Sequence, residues 1–269
     1  MSDPHVVARL RAAGCVWAED EAALLVAAAA SPDELESLVA RRVAGEPLET
    51  VLGWVEFLGR RLVVAPGVFV PRRRTELLAR TALEHARTVQ VGRGRPVVVE
   101  MCCGVAPVAA SLEDAHAEVH ASDVSATALG CARSNAPSAA LHLGDLYDAL
   151  PTGLLGRVDV LAANAPYVPS DRVADMPPEA RDHEPLVALD GGADGVDLHR
   201  RLAADAARWL APGGVLLIET SPGQAGLTSG AMEVAGLSTR VETDDEVGGC
   251  VAVGVHPDGV SRRAAERAS

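Results

Sequence analysis

Four short stretches of this chain carry side chains that could do chemistry. The first is Glu100-Met101-Cys102-Cys103-Gly104-Val105-Ala106, an acid and a run of small residues following the apolar Val97-Val98-Val99. A small-residue turn between a strand and a helix lets a ligand approach the backbone N–H groups of the helix N-terminus. The second is Asp123, 23 residues beyond Glu100. A carboxylate at a strand end there can accept both hydroxyls of a ribose, although many strands end in Asp for no such reason. The third is Asp145 in Leu143-Gly144-Asp145-Leu146, either an acceptor for an adenine amino group or a turn-forming Gly-Asp. The fourth is Asn164-Ala165-Pro166-Tyr167, which combines an amide oxygen, a stiffened backbone with carbonyls in set directions, and a flat ring. Such a segment suits gripping a planar NH₂ group; a rigid polar loop around a buried Asn is the plainer alternative.

These residues are useful only if the chain brings them together. From about residue 97 the pattern alternates strand and helix, which implies an α/β fold with a parallel sheet covered on both faces. Strands are expected at 97–100, 118–123, 141–143, 158–161 and 215–218, with helices at 105–115, 125–135 and 196–210. The runs 239–242 and 250–255 are expected to close one sheet edge as an antiparallel pair. Ligands of open α/β sheets sit beyond the carboxyl ends of the strands, so the four stretches should border one crevice. Before the sheet, residues 4–44 read as helical, with a new start at Ser31-Pro32-Asp33-Glu34, where Ser31 can cap and Pro32 fits the first turn. A hairpin across Gly59 follows Gly45-Glu46-Pro47. The expected division is a helical module with its hairpin linker at 1–72 and a larger unit at 73–269, whose polar end after Pro257 should fray.

Composition narrows the ligand and the setting. Of 269 residues, 24 are Lys or Arg and 37 are Asp or Glu, a net charge of −13, and aromatics are 3%. A broad phosphate-neutralising surface and a stacking platform for bases are both disfavoured, so direct sequence-specific binding of nucleic acid is not expected. The first turn is not Gly-x-Gly-x-x-Gly, which disfavours a pyrophosphate-bearing nicotinamide cofactor. Acidic strand ends suit a nucleoside with a cationic centre and no phosphate, and S-adenosylmethionine fits that description. Five cysteines, odd in number and without Cys-x-x-Cys spacing, indicate free thiols in a reducing, cytoplasmic setting. Metal binding at Cys102-Cys103 is not expected, because no His or Cys partners stand at zinc spacing. The apolar run 22–30 is too short to span a bilayer, and no secretory signal is evident.

Asn164-Ala165-Pro166-Tyr167 resembles the Asn-Pro-Pro-Tyr motif of amino-methyltransferases. The surrounding sequence resembles the HemK/PrmC family, protein-(glutamine-N5) methyltransferases that modify peptide chain release factors. The likeness extends over about residues 45–255. It includes Gly45-Glu46-Pro47, Val70-Pro71-Arg72 with Thr75-Glu76, Glu184-Pro185-Leu186-Val187-Ala188-Leu189-Asp190-Gly191-Gly192 with Asp194-Gly195, Pro212-Gly213-Gly214, and Glu219 with Gln224. The resemblance implies a Rossmann-like class I S-adenosylmethionine-dependent methyltransferase fold preceded by a small helical module. By the same resemblance Glu100, Cys102, Gly104, Ala106, Asp123 and Asp145 would line the cofactor pocket, with Asn164 at its border. Asn164 and the carbonyl of Ala165 would hold a glutamine amide, with Pro166 and Tyr167 beside it, and the partner would be a release factor.

Three departures stand out. The family turn Asp-x-Gly-x-Gly-x-Gly has its glycine places filled by Cys102, Gly104 and Ala106, so Cys102 and Ala106 are expected to strain it. Ala165 replaces the first Pro of the tetrapeptide. Arg73 and Arg74 replace Pro and Glu in the family's Pro-Arg-Pro-Glu-Thr-Glu, leaving Arg72-Arg73-Arg74 as a basic cluster that is either a partner contact or a solvated turn. His183 is expected to make a structural polar contact. Alternatives are another protein or a small-molecule amide or amine as substrate, or a non-catalytic binding homologue. Adenine methylation on DNA shares the tetrapeptide but suits the charge poorly.

Overall fold

The structure, a computed structural model, describes residues 3–257. The expected fraying after Pro257 concerns residues outside that range. Helices α1 (Pro4–Ala12), α2 (Ala18–Ala28) and α3 (Pro32–Val43) break the helical stretch into three, and α4 (Leu48–Leu52) follows. Ser31 caps α3, its hydroxyl accepting the Glu34 N–H at 3.2 Å. Leu10, Ala22, Leu25 and Val39 form a core belonging to these helices. Strands β1 (Trp54–Phe57) and β2 (Arg60–Val63) make the hairpin, with Leu58 and Gly59 both at positive φ in its turn. Its inner side chains Val55, Phe57 and Leu62 join the same apolar cluster as Val98, Val160 and Leu217 of the central sheet.

The rest of the chain runs α5 (Thr75–Arg93), β3 (Val97–Met101), α6 (Pro107–Ser111), β4 (Glu118–Asp123), α7 (Ala126–Asn135), β5 (Ala140–Leu143) and β6 (Val158–Ala163). Then come α8 (Pro178–His183), α9 (Asp197–Trp209), β7 (Leu210–Glu219), α10 (Ala225–Val234), β8 (Ser238–Asp244) and β9 (Gly249–Val255). The strand order is β5-β4-β3-β6-β7-β9-β8, parallel from β5 to β7, with β9 inserted antiparallel between β7 and β8. Met101 pairs with Ser122 on one side and Ala163 on the other, so Cys102, Asp123 and Asn164 emerge together at the carboxyl edge. The strand order reverses between β3 and β6, where such sheets open a crevice. Among the described residues, no helix is long and apolar enough to cross a membrane.

Helices α5, α8 and α10 have no counterpart in the expected pattern, and two expected elements differ in extent. The helix after the first turn is only α6, five residues rather than the span 105–115. Ala106 in a left-handed conformation delays its start, and the Ser111 hydroxyl bonds back to the Val108 carbonyl at 2.6 Å near its end. The fifth strand begins at Leu210 rather than at residue 215, with Ala211 to Gly214 bulged out between the pairs Val158–Leu210 and Val160–Val215. A Cβ on Gly214 would lie 2.7 Å from the Val158 carbonyl oxygen, so the bulge requires glycine there.

Candidate active site

A cavity of about 460 Å³ opens at the carboxyl ends of β3, β4 and β6. Glu100, Cys102, Gly104, Asp123, Asp145, Asn164, Ala165, Pro166 and Tyr167 all border it. Ala106 does not; it is fully buried behind the turn. The backbone shape that glycines would favour is nonetheless kept, with φ of 50° at Cys102, 53° at Gly104 and 62° at Ala106. For Cys and Ala this region costs roughly 1–2 kcal/mol each. The Gly104 N–H donates to Asp123 Oδ2 at 2.8 Å, and the Ser125 N–H donates to Asp123 Oδ1 at 2.8 Å. Asp123 thus ties the turn to the end of β4 and holds its carboxylate at the cavity wall.

Glu100 borders the cavity and also caps the helix that follows. Its two carboxyl oxygens accept the N–H groups of Val108 at 3.1 Å and Ala109 at 2.7 Å, and so cap α6. Burial pushes the carboxyl up to about 8, against the pull of those two donors. The helix N-terminus is therefore occupied by the chain's own acid rather than left for a ligand. That is where a pyrophosphate would bind, so the site suits a nucleoside without phosphate. Asp145 stands at the cavity margin paired with Arg201 of α9 at 2.7 Å. Nothing in the local pattern distinguishes Arg201 from its neighbour Arg200, which pairs with Asp194 and Asp197 outside the cavity. Cys102 and Cys103 are no reactive pair, since burial pushes the Cys102 thiol up to about 12 and that of Cys103 well above its usual range.

The tetrapeptide is packed from several sides. Asn164 Nδ2 donates to the hydroxyl of the fully buried Thr75, at the start of α5, at 3.4 Å. Among the described residues its Oδ1 accepts no side-chain hydrogen bond, and Asn164 stands in the cavity wall. The Tyr167 hydroxyl donates to Glu219 Oε1 at 3.3 Å, and Arg74 Nε donates to the same oxygen at 3.2 Å. Gln224 Nε2 donates to the carbonyls of Tyr167 at 2.8 Å and Asp194 at 3.0 Å. The segment around Gly191 lies against the tetrapeptide backbone: a Cβ on Gly191 would be 2.7 Å from the Pro166 oxygen, and one on Gly195 would overlap the Tyr167 carbonyl. His199 is fully buried beside the Tyr167 ring, its Nδ1 2.9 Å from the Thr228 hydroxyl. Burial holds its imidazole down at about 4, hence neutral.

Two members of the arginine cluster pair with buried acids. Arg72 turns inward to the buried Glu184 at 2.7 Å, Arg74 pairs with Glu219 while staying half-exposed, and Arg73 faces solvent. His183 lies beside Gly45, away from the cavity. The sequence pointed to neither Thr75 nor Gln224 as a support of the site; both appear there only as parts of the family likeness. Their partners are 89 and 57 positions away.

An open sheet of this order, with an acid closing the strand beside the first turn and Asn-x-Pro-Tyr closing β6, defines a class I S-adenosylmethionine-dependent methyltransferase fold. A methyltransferase from Pyrococcus furiosus superposes with a TM-score of 0.56 at 18% identity, covering 81% of this chain and 97% of that one. No family model matches the sequence. The release factor glutamine methyltransferase of Streptomyces coelicolor is 40% identical over 193 residues, 70% of this chain and 68% of that protein. A 4-amino-L-phenylalanine/4-methylamino-L-phenylalanine methyltransferase of Streptomyces pristinaespiralis is 38% identical over 193 residues, 70% of this chain and 65% of its own. The chain belongs to the family of release factor glutamine methyltransferases.

Proposed function

We propose that this chain methylates the N5 amide nitrogen of a protein glutamine, in the Gly-Gly-Gln loop of a peptide chain release factor, in the cytoplasm. The observation that carries the reading is the Asn164 amide, tied through Nδ2 to Thr75 and standing in the cavity wall beside Ala165. An amide nitrogen is a poor nucleophile because its lone pair is delocalised into the carbonyl. Asn164 Oδ1 and the Ala165 carbonyl would each accept one of its hydrogens, aim the lone pair and stabilise the positive charge that grows on nitrogen. Pro166 and Tyr167 wall the acceptor side.

The residues present fit S-adenosylmethionine: Asp123 would take the ribose hydroxyls, Asp145 would face the base, and Cys102 and Gly104 form the turn over which it lies. When bound, that group supplies the methyl on a sulfonium. Glu100, itself in the cavity wall, caps α6, and Ala106 supports this turn from behind.

The N-terminal helices would recognise the protein substrate. Arg42 of α3, paired with Glu21 at 2.7 Å, also reaches Glu179 of α8 at 2.7 Å, and α8 lies between Met176 and Val187 of the cavity wall. The net charge of −13 suits a protein acceptor better than a nucleic acid.

One observation favours a second reading, a small-molecule amine. Arg74 places a half-exposed cation on the acceptor side of the cavity, able to pair with the carboxylate of an amino acid such as the one named for the Streptomyces pristinaespiralis relative. Calorimetry with S-adenosylmethionine, then mass spectrometry of a release factor and of 4-amino-L-phenylalanine incubated with both, separates the two. The expected result is a one-methyl gain on the Gly-Gly-Gln glutamine. No cofactor binding would overturn both readings, and methylation of the amino acid alone would favour the second. Asn164→Ala should lower transfer by about 10²-fold or more while leaving cofactor affinity nearly unchanged.

A further inference from the structure

The cavity wall is not uniform in charge. Asp123 and Asp145 stand where the cofactor is expected, whereas the stretch leading into α5 adds two cations, Arg72 and Arg74, to a lining that includes Asn164 and Tyr167. The acids that pair with them, Glu184 and Glu219, are each 1% exposed at the side chain, and neither borders the cavity. On this part of the wall the cations stand in front and the acids behind.

The two arginines are held differently. Arg72 Nη2 donates to both oxygens of Glu184 at 2.7 Å, and Glu184 also accepts the Val70 N–H at 3.2 Å. Arg74 uses Nε alone, donating to Glu219 Oε1 at 3.2 Å. Among the described residues its Nη1 and Nη2 make no hydrogen bond, and 43% of its side chain is exposed. Its guanidinium carbon lies 5.8 Å from the centroid of the Tyr167 ring.

A guanidinium carries five N–H donors in one plane, and its terminal nitrogens make a fork that fits the two oxygens of a carboxylate. The acid behind Arg74 and the ring beside it restrict its orientations, which lowers the entropy lost when a second anion binds. A solvated arginine requires no such support. Here a fully buried carboxylate, whose Oε2 has no partner among the described residues, holds the guanidinium at the cavity. Such a carboxylate is costly to bury by itself.

We propose that Arg74 is the carboxylate-recognising residue of the acceptor site, its terminal nitrogens pairing with an anionic group that the methyl acceptor carries beside the nitrogen to be methylated. The inference rests on the reading of this cavity as the acceptor site, and it adds a second group that the acceptor must have. Two sources supply that group: the α-carboxylate of a free amino acid, or an acidic side chain next to the glutamine of a protein loop. Because Arg74 meets the acceptor away from the reacting nitrogen, its contribution belongs to binding, and so to KM rather than kcat.

Two matched pairs of acceptors separate the sources. One is 4-amino-L-phenylalanine and its carboxamide; the other is a Gly-Gly-Gln peptide with Glu beside the glutamine and the same peptide with Met there. Each is titrated by calorimetry into the full chain saturated with S-adenosylhomocysteine, which has no methyl to give, and assayed for transfer from S-adenosylmethionine. One pair should show a preference of about tenfold or more for the carboxylate form, in affinity and in KM, with kcat within about twofold. A preference in the first pair assigns the group to a free amino acid, and one in the second to a protein loop. Arg74→Met should abolish the preference, and Arg74→Lys should keep part of it. Arg74→Met combined with Glu219→Gln leaves no buried charge unpaired and should behave like Arg74→Met. Arg73→Met removes the same charge from an exposed side chain that does not border the cavity, and should leave the preference intact.

Equal binding within both pairs by the wild-type chain, or no binding of any of the four at millimolar concentration, overturns the subsite without recourse to a variant. A preference that survives in Arg74→Met, or that Arg73→Met removes equally, overturns it as well. Carboxylate-selective binding with no transfer to any acceptor would overturn the reading of the cavity as an acceptor site and leave the anion subsite standing.

Discussion

The turn at 102–106 and the segment at 164–167 both replace residues that the family pattern would have, and they keep their shapes by different means. The turn relies on its own backbone. Cys102, Gly104 and Ala106 all sit at positive φ, and the bonds that brace them run to Ser122 and Asp123 on the adjacent strand, Cys103 N–H to the Ser122 carbonyl at 3.0 Å among them. The tetrapeptide, without its first Pro, is held from outside by Thr75, Glu219, Gln224 and the glycines of the 191–195 segment, none of them on a neighbouring turn of chain. Strain stored in a few dihedrals and support borrowed from distant side chains respond to mutation in different ways.

The distinction can be tested by adding bulk or removing strain. Gly195→Ala should be the most damaging, because it puts a Cβ against the Tyr167 carbonyl at a position whose φ is 78°. A loss of about 3 kcal/mol by urea denaturation, with a fall in kcat, is expected from combined overpacking and backbone strain. Gln224→Leu removes two bonds to the carbonyls of Tyr167 and Asp194 and should cost about 2 kcal/mol, with transfer falling more than cofactor binding in parallel calorimetry.

In the turn the sign should reverse. Cys102→Gly relieves the left-handed strain but gives the unfolded chain more freedom, so a net gain of about 0.5 kcal/mol and a small rise in melting temperature are expected. Ala106→Gly should be close to neutral, since its fully buried methyl, worth about 0.8 kcal/mol, offsets the relief. A large loss in Cys102→Gly would show that the turn too is held by its side chains.

Much of the scaffold was legible. Strand β4 matches its expected span and α7 begins one residue after its expected start, because a buried apolar run and a Ser125 cap, whose oxygen accepts the Ala128 N–H at 3.2 Å, are local signals. The hairpin and the antiparallel edge pair were readable from alternating side chains around turn residues. Less legible were the short α6 and the early start of β7, where tertiary packing overrides propensity. At the cavity, residue types at strand ends pointed to Asp123, Asp145 and Asn164, which border it. They did not identify Arg201 or the pairing of Arg72 and Arg74 with buried acids, because a charged side chain's partner is chosen by proximity in space.

By itself the sequence determined the succession of sheet strands and several of the helices between them, the family, and which residues stand at the carboxyl edge of the sheet. Those follow from periodicity, caps and turns, each set by residues a few positions apart. The tertiary structure decided what each of those residues does there. It put Glu100 onto α6 as well as into the cavity wall, and it brought the Asn164 amide to Thr75, 89 positions away. Hydrogen bonds act only over about 3 Å and along particular directions, so their outcome depends on where the folded chain brings distant atoms together.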